Sequence, residues 1–397
     1  MVDNHSNSSI DRTRRNFIVA GGAVGTAALA GCLEGDGNGG EAGAGLGGDD
    51  GNGNGNGNGG IGDPMLSDDF DPQNPDWENN NYLGGKMAEH DFIRGSEHDL
   101  EAMGNRGRES AVYGQEPAAH PADSSEWIDP DPIVYADLPR EDTQQAYGDQ
   151  IEPMIEKLEA ETGRDVEFQT IDSYAAVVEG MRSERIHLAN FATGNTPFGV
   201  NMAGMVPLAT GVAGDGQFGY RLLAITRADM DEIQSVADFN DHRVAHTEAS
   251  SNSGNQAPSA LFDEHFGLTN GENYNPEMSG GHEQSARGIA YGDYDCGPIC
   301  STCWEQTVEA VDDIDFDDFK VVWAADPFPP GPIGYRYNLH EEIIEGARET
   351  WLHTDWEGTT YAEAAYPQFV EVDYVNHWHD VMINQQYNDV EYDEANL

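Results

Sequence analysis

From Pro132 onward the chain alternates short apolar strands with amphipathic helices, and few folds accept that order. Ile133-Val134-Tyr135-Ala136 is a short apolar run after a proline. Ile151, Met154, Ile155 and Leu158 then recur at i, i+3, i+4 and i+7, the spacing of one helical face, and Gly163 supplies a C-cap. Val166 and Phe168 alternate with polar residues as a strand does. Tyr174 to Glu184 reads as a helix with Ala175, Val178 and Met181 on one side, and His187 to Phe191 as a third strand. Strand, helix, strand, helix, strand at this spacing predicts a parallel sheet with right-handed crossovers.

A second series begins near Tyr220. Leu222-Leu223-Ala224-Ile225 and Arg243-Val244-Ala245-His246 read as strands, and a helix runs from about Gly254 to Phe266. A helix over His282 to Ala290 precedes a strand near Tyr294 to Cys300, Val308 and Val311 mark another helix, and Val321-Val322-Trp323-Ala324 closes the series. Pro327, Pro329, Pro330 and Pro332 then break the pattern. The expected fold is α/β in two lobes, each a mostly parallel sheet flanked by helices, with a ligand cleft between them. Lobe one takes residues 131–222 and 326–397, and lobe two takes 223–325. The crossovers near Gly214–Gly219 and Pro327–Gly334 are the candidate hinges.

The N-terminus carries a different signal. Arg14-Arg15 precede an apolar stretch from Phe17 to Ala30, too short for the roughly 20 residues of a membrane span. Paired arginines point to Tat export, and Leu29-Ala30-Gly31-Cys32 resembles a lipobox, so residues 1–31 read as a signal peptide and Cys32 as a lipid anchor. Residues 32–63, dominated by Gly, Asn and Asp, cannot bury enough apolar surface to fold and read as a tether with a reach of about 30 Å. Residues 64–130 are polar, without a clear period, and read as a partly ordered extension.

Charge sets the environment. The net formal charge is −54, spread along the whole chain, and three lysines occur: Lys86, Lys157 and Lys320. That is the carboxylate surface of a protein suited to molar salt, where the Debye length falls to about 3 Å. Without a basic patch, nucleic acid is excluded as a partner.

Three segments occur in order: Ile133-Val134-Tyr135-Ala136-Asp137-Leu138-Pro139, Asp172-Ser173-Tyr174-Ala175-Ala176-Val177-Val178-Glu179-Gly180-Met181-Arg182, and Ser250-Ser251-Asn252-Ser253-Gly254. Together they resemble the phosphonate-binding (phosphate/phosphite/phosphonate) components of ABC importers, over roughly Pro132 to Arg348. The resemblance implies a type II periplasmic-binding-protein fold, no enzymatic activity, no cofactor or metal, a small phosphorus oxyanion as ligand, and an ABC permease and ATPase as partners. It implies an extracytoplasmic location, and with Cys32 a monomer held at the outer face of the membrane.

Residue by residue, Ser251, Asn252, Ser253 and Gly254 match the family's Ser-Thr-Ser turn, with Asn252 in the place of Thr. Independently, such a turn before a helix offers unpaired N–H groups and the helix dipole to an anion, although Ser and Asn also serve as plain N-caps. Tyr174 matches the tyrosine of the family's D-Y-A-A segment, and His282 the histidine of an S-G-S-H-D turn that contacts the oxyanion. Thr196, in a longer version of the family's Gly-Pro loop, is a further candidate. Aminoalkyl-phosphonate binders place an acidic residue where Cys300-Ser301-Thr302 stands. Ser301 is the candidate there, which favours phosphate, phosphite or a simple phosphonate, or an amine held elsewhere.

Rival readings stay open on the residues. The same fold serves sulfonates or thiamine precursors. Cys296, Cys300 and Cys303 have spacing seen in exported redox or iron–sulfur proteins, or two of them form a disulfide. Cys303 or Cys300 with His282 also suggests a cysteine hydrolase, for which no orienting third group is visible.

Overall fold

In the computed structural model the described residues are 70–137, 144–171 and 173–397. The signal segment, Cys32 and the tether lie outside them. Along the chain run β1 (Tyr82–Leu83), α1 (Gly84–Glu89), β2 (Gly95–Ser96), α2 (Glu97–Gly104), β3 (Ile133–Asp137), α3 (Gln144–Thr162), β4 (Val166–Thr170) and α4 (Tyr174–Arg182). Then come β5 (Leu188–Asn190), α5 (Thr196–Ala203), β6 (Met205–Val212), β7 (Gln217–Phe218), β8 (Leu222–Arg227), β9 (Ala245–His246), α6 (Ala257–Phe266) and β10 (Glu277–Met278). The rest are α7 (His282–Tyr291), β11 (Cys296–Cys300), α8 (Ser301–Ala310), β12 (Phe319–Ala324), β13 (Ile333–Arg336), α9 (Glu341–Leu352), α10 (Thr360–Ala364), β14 (Gln368–Glu371), α11 (Tyr374–His377) and α12 (His379–Tyr387).

Two main sheets form the two lobes. The first has the order β2-β7-β6-β13-β5-β3-β4, with β14 also on β6, and the second has the order β1-β12-β8-β11. β3 pairs in parallel with β4 and β5, as the alternation predicts. The expected mostly parallel sheets are not what forms: the lobe-one sheet is mixed, and the sheet β1-β12-β8-β11 of lobe two is antiparallel throughout. β13 runs antiparallel to β5 and β6, and β8 runs antiparallel to β11 and β12. The reason is topological: the chain enters lobe two through β8 and re-enters lobe one through β13, and a returning strand pairs head to tail.

Both faces of the lobe-one sheet are packed, with Val134, Ala136 and Ala189 lying against Val177, Val178 and Met181 of α4 on one side. On the other, Ile133, Tyr135 and Leu188 meet Ile151, Met154 and Leu158 of α3 and Ile343, Ala347 and Trp351 of α9. The helical period in the sequence is thus spent on the sheet, with Met154 and Leu158 fully buried.

The crossovers at the predicted hinges lie side by side. Tyr220, between β7 and β8, pairs antiparallel with Phe328, between β12 and β13. Tyr220 N–H donates to the Phe328 carbonyl at 3.1 Å and Phe328 N–H returns the bond at 2.8 Å. Gly219 sits in the left-handed region (φ +67°), and a Cβ there would lie 2.0 Å from the Phe328 oxygen, so the pairing requires glycine.

The polar extension is more built than its sequence suggests. β1 joins the edge of β12 in lobe two, and β2 joins β7 in lobe one. Phe70, Tyr82, Met87 and Phe92 enter the core of lobe two with Ile225, Ile299, Trp304 and Phe319. Three well-spaced aromatics and a methionine thus stand in for a periodic pattern. Tyr82 is 1 % exposed, packs edge-on to Phe70 and Trp77, and accepts the Asp76 N–H at 3.0 Å. Replacing Tyr82 by Ala is expected to destabilise the protein by about 3–5 kcal/mol, as for other buried aromatics; denaturant unfolding at high salt measures it.

Candidate functional site

The turn Ser250–Gly254 follows β9 and opens a five-residue π-helix, Asn252–Gln256, before α6. The N–H groups of both Asn255 and Gln256 bond to the Ser251 carbonyl, at 3.2 and 2.9 Å. The wide first turn leaves the N–H groups of Asn252 and Ser253 without helical acceptors. Ser250 to Ser253 are at most 3 % exposed. Gly254 is required, because a Cβ would lie 1.9 Å from Thr247 Oγ1.

Ser251 Oγ is the best-defined group. It accepts the Gly254 N–H at 3.2 Å and lies 3.3 Å from His282 Nε2. On the other side of that ring, the Cys300 N–H donates to His282 Nδ1 at 3.2 Å. Nδ1 therefore carries a lone pair, and the proton sits on Nε2, which donates to Ser251. With both bonds arriving at its oxygen, Ser251 keeps its own hydroxyl proton for a further acceptor. Burial pushes His282 down to about 4, which fits the neutral ring.

A second histidine supports the turn from behind. Asn255 Nδ2 donates to the Ala249 carbonyl, so Asn255 Oδ1 accepts from His246 Nδ1 at 3.0 Å, and Tyr274 OH donates to His246 Nε2 at 3.2 Å. Burial holds His246 down at about 4 as well.

The lobe-one side is held against this turn. A Cβ on Gly194 would lie 2.2 Å from the Ser250 oxygen and 2.5 Å from the Asn252 nitrogen. Gln385 Nε2 and Trp378 Nε1 donate to the carbonyls of Gly194 and Thr193, at 2.8 and 2.9 Å. Asn252 Nδ2 lies 3.1 Å from Tyr220 OH, which also sits among Thr193 and Ser253. Asn252 Oδ1 is buried without a partner among the described residues. Tyr174, at the start of α4, is half-buried; burial and then the charge of Glu248 drive its hydroxyl strongly toward the neutral form. Glu248 itself is half-buried, and burial raises its carboxyl above the usual range.

Ser251, Asn252, Ser253, Gly254, His282 and Tyr174 are thus assembled where the lobes meet. His282 acts through Ser251. Two candidates need correction. Thr196 is fully buried and its hydroxyl donates to the Ala192 carbonyl at 2.9 Å, in the first turn of α5. Ser301 is also fully buried; its Oγ accepts the Arg221 N–H at 2.9 Å and donates to the Ile93 carbonyl, welding the extension to lobe two. The cluster alternative loses its ligands, since Cys300 and Cys303 are joined in a disulfide and Cys296 is a buried free thiol. Tyr220, His246 and Glu248 were missed. The proline-rich partner crossover gave a signal for Tyr220; His246 and Glu248 stand in unremarkable local sequence.

Two outcomes are expected from this geometry. Gly254→Ala should abolish ligand binding, seen by calorimetry, because the turn cannot close over Thr247. Stability should fall as pH drops from about 6.5 to about 4 at constant salt. The folded protein keeps His246 and His282 neutral down to about 4 while the unfolded chain takes up protons at the ordinary 6.5. Unfolding therefore binds protons in that window, and replacing both histidines by Gln should flatten the slope.

Comparison with known proteins agrees with the geometry. Residues 137–376 match the family described as ABC transporter, phosphonate, periplasmic substrate-binding protein. A phosphate-import protein of Mycolicibacterium smegmatis is 32 % identical over 228 residues, 54 % of this chain and 70 % of its own. Among solved structures, a binding component of an ABC phosphonate transporter from Pseudomonas aeruginosa aligns with a TM-score of 0.56 at 19 % identity, over 67 % of this chain and 90 % of its own. A protein from Prochlorococcus marinus in complex with methylphosphonate aligns at 0.53 and 13 %, over 66 % and 99 %. The chain belongs to the phosphonate-binding periplasmic substrate-binding proteins of ABC transporters.

Proposed function

We propose that this chain captures a small phosphorus oxyanion between its lobes and delivers it to an ABC permease and ATPase. The observation that carries this is the Ser251 hydroxyl, whose oxygen already receives two hydrogen bonds and whose own proton is left for a further acceptor. The N–H groups of Asn252 and Ser253, at the positive end of the helix, supply further donors to such an anion. In a chain of charge −54, fixed local donors and not a long-range field must hold it. Closure follows from differential affinity, since donors of both lobes reach the ligand together.

Glu248 supports a second reading of the ligand's other end. A half-buried carboxylate opposite Tyr174 favours an ammonium group, so an aminoalkyl phosphonate competes with methylphosphonate, phosphite and phosphate as the ligand. Thermal unfolding in molar salt with each of these, and with taurine for the sulfonate alternative, separates them. A ligand at 100 times its Kd adds about 2.7 kcal/mol of stability. Stabilisation by taurine alone, or by none of the set, overturns the reading.

The remaining expectations belong to the N-terminus. Tat export, a lipid on Cys32, the tether of residues 32–63, a monomer at the outer membrane face and a salt-rich environment form one consistent arrangement. A single acyl chain holds a membrane weakly, so two or more are expected on Cys32. Cys32→Ser should release the protein into the medium, by fractionation, with ligand affinity unchanged.

A further inference from the structure

Cys300-Ser301-Thr302-Cys303 is a C-x-x-C at the first turn of α8, a helix of ten residues. Cys300 is the N-cap and its Sγ accepts the Cys303 N–H at 3.2 Å. Cys303 is partly exposed, whereas Cys300 is buried. This placement has two consequences. Solvent reaches the bond from the Cys303 side. A thiolate left on Cys300 would sit at a helix N-terminus, which stabilises it.

The same residue is wired to the oxyanion site. The Cys300 N–H fixes His282 Nδ1, and His282 Nε2–H fixes Ser251. The disulfide closes the loop from 300 to 303 and so holds the backbone that carries this N–H.

We propose that the Cys300–Cys303 disulfide is a redox switch on the ligand site: the oxidised form holds His282 and Ser251 in the binding arrangement, and reduction by a dithiol lowers affinity. The ligand part of this rests on the oxyanion reading above. The chemistry balances as follows. One reductant thiolate attacks Cys303 Sγ, the S–S bond breaks and Cys300 leaves as a thiolate. The second reductant sulfur then attacks the mixed disulfide and releases Cys303. Two electrons pass to the protein, the reductant ends as its own disulfide, and Cys303 takes a proton from water. The dithiol gives up two protons in all; with Cys300 left as a thiolate, the second passes through water to His282, since the adjacent negative charge favours imidazolium there. A protonated Nδ1 no longer accepts the Cys300 N–H, so the chain from Cys300 to Ser251 is broken at its middle member.

The test uses the full protein in molar salt with dithiothreitol as reductant. Thiol alkylation and mass spectrometry should show Cys300 and Cys303 modified after native reduction. The affinities for phosphite and methylphosphonate should fall about ten-fold, the scale of one lost hydrogen bond, and recover on reoxidation. The His282 imidazole nitrogen signals should move while those of His246 stay, which also reports an intact fold. Cys303→Ser should bind like the reduced protein and ignore dithiothreitol. Equal affinity in both states, or a disulfide that resists reduction in the folded protein, overturns the switch. If no oxyanion binds the oxidised protein, the oxyanion reading fails separately. The His282 signals then decide, and unchanged signals on reduction overturn the switch.

Discussion

The two backbone hydrogen bonds between Tyr220 and Phe328 join the chain's two passages between the lobes. They make two flexible crossovers into one short ribbon, and the rest of the structure hangs from it. β8 and β13 start beyond this ribbon in opposite directions, and each runs antiparallel to its neighbours in its own sheet. Tyr220 also carries its hydroxyl into the site, where it meets Asn252 of lobe two and Thr193 of lobe one. The ribbon and the candidate site therefore share a residue.

Next to that ribbon, Arg221 gathers a third strand of the connection. Its guanidinium lies 4.1 Å from the Phe92 ring centre and donates to the carbonyls of Ala325 and Arg94, at 3.0 and 3.3 Å. Ser301 anchors Ile93 beside it. The extension is thus part of the hinge region as well as of both sheets. Three segments of chain, not two, therefore run side by side between the lobes.

Much of this was legible in the chain, for identifiable reasons. α3, α4 and α7 bury one face on a sheet, so Met154, Leu158, Val178 and Ile289 mark them by period alone. The Ser-Asn-Ser-Gly turn stood out through the family resemblance, since its local sequence reads equally as a plain N-cap. Strand direction was not legible, since period 2 reads the same in parallel and antiparallel pairs. Nor were Thr196 and Ser301, whose hydroxyls are spent on carbonyls close by in space; a hydroxyl's use depends on what the fold brings near it. His246 and Glu248 escaped for the same reason, and the extension because scattered aromatics have no period.

Gly194 carries a consequence of its own. Where the lobes meet, the approach to Ser250 and Asn252 is main chain against main chain, with no room for a single methyl group. The gap is therefore set by a mechanical stop and not by the sum of adjustable side-chain contacts. In this conformation such a contact fixes the spacing between the two segments at one value. It also divides the protein's evolvable parts. Side chains such as Asn252, Tyr174 and Glu248 can be exchanged without touching this contact, while any residue other than glycine at position 194 would collide with it.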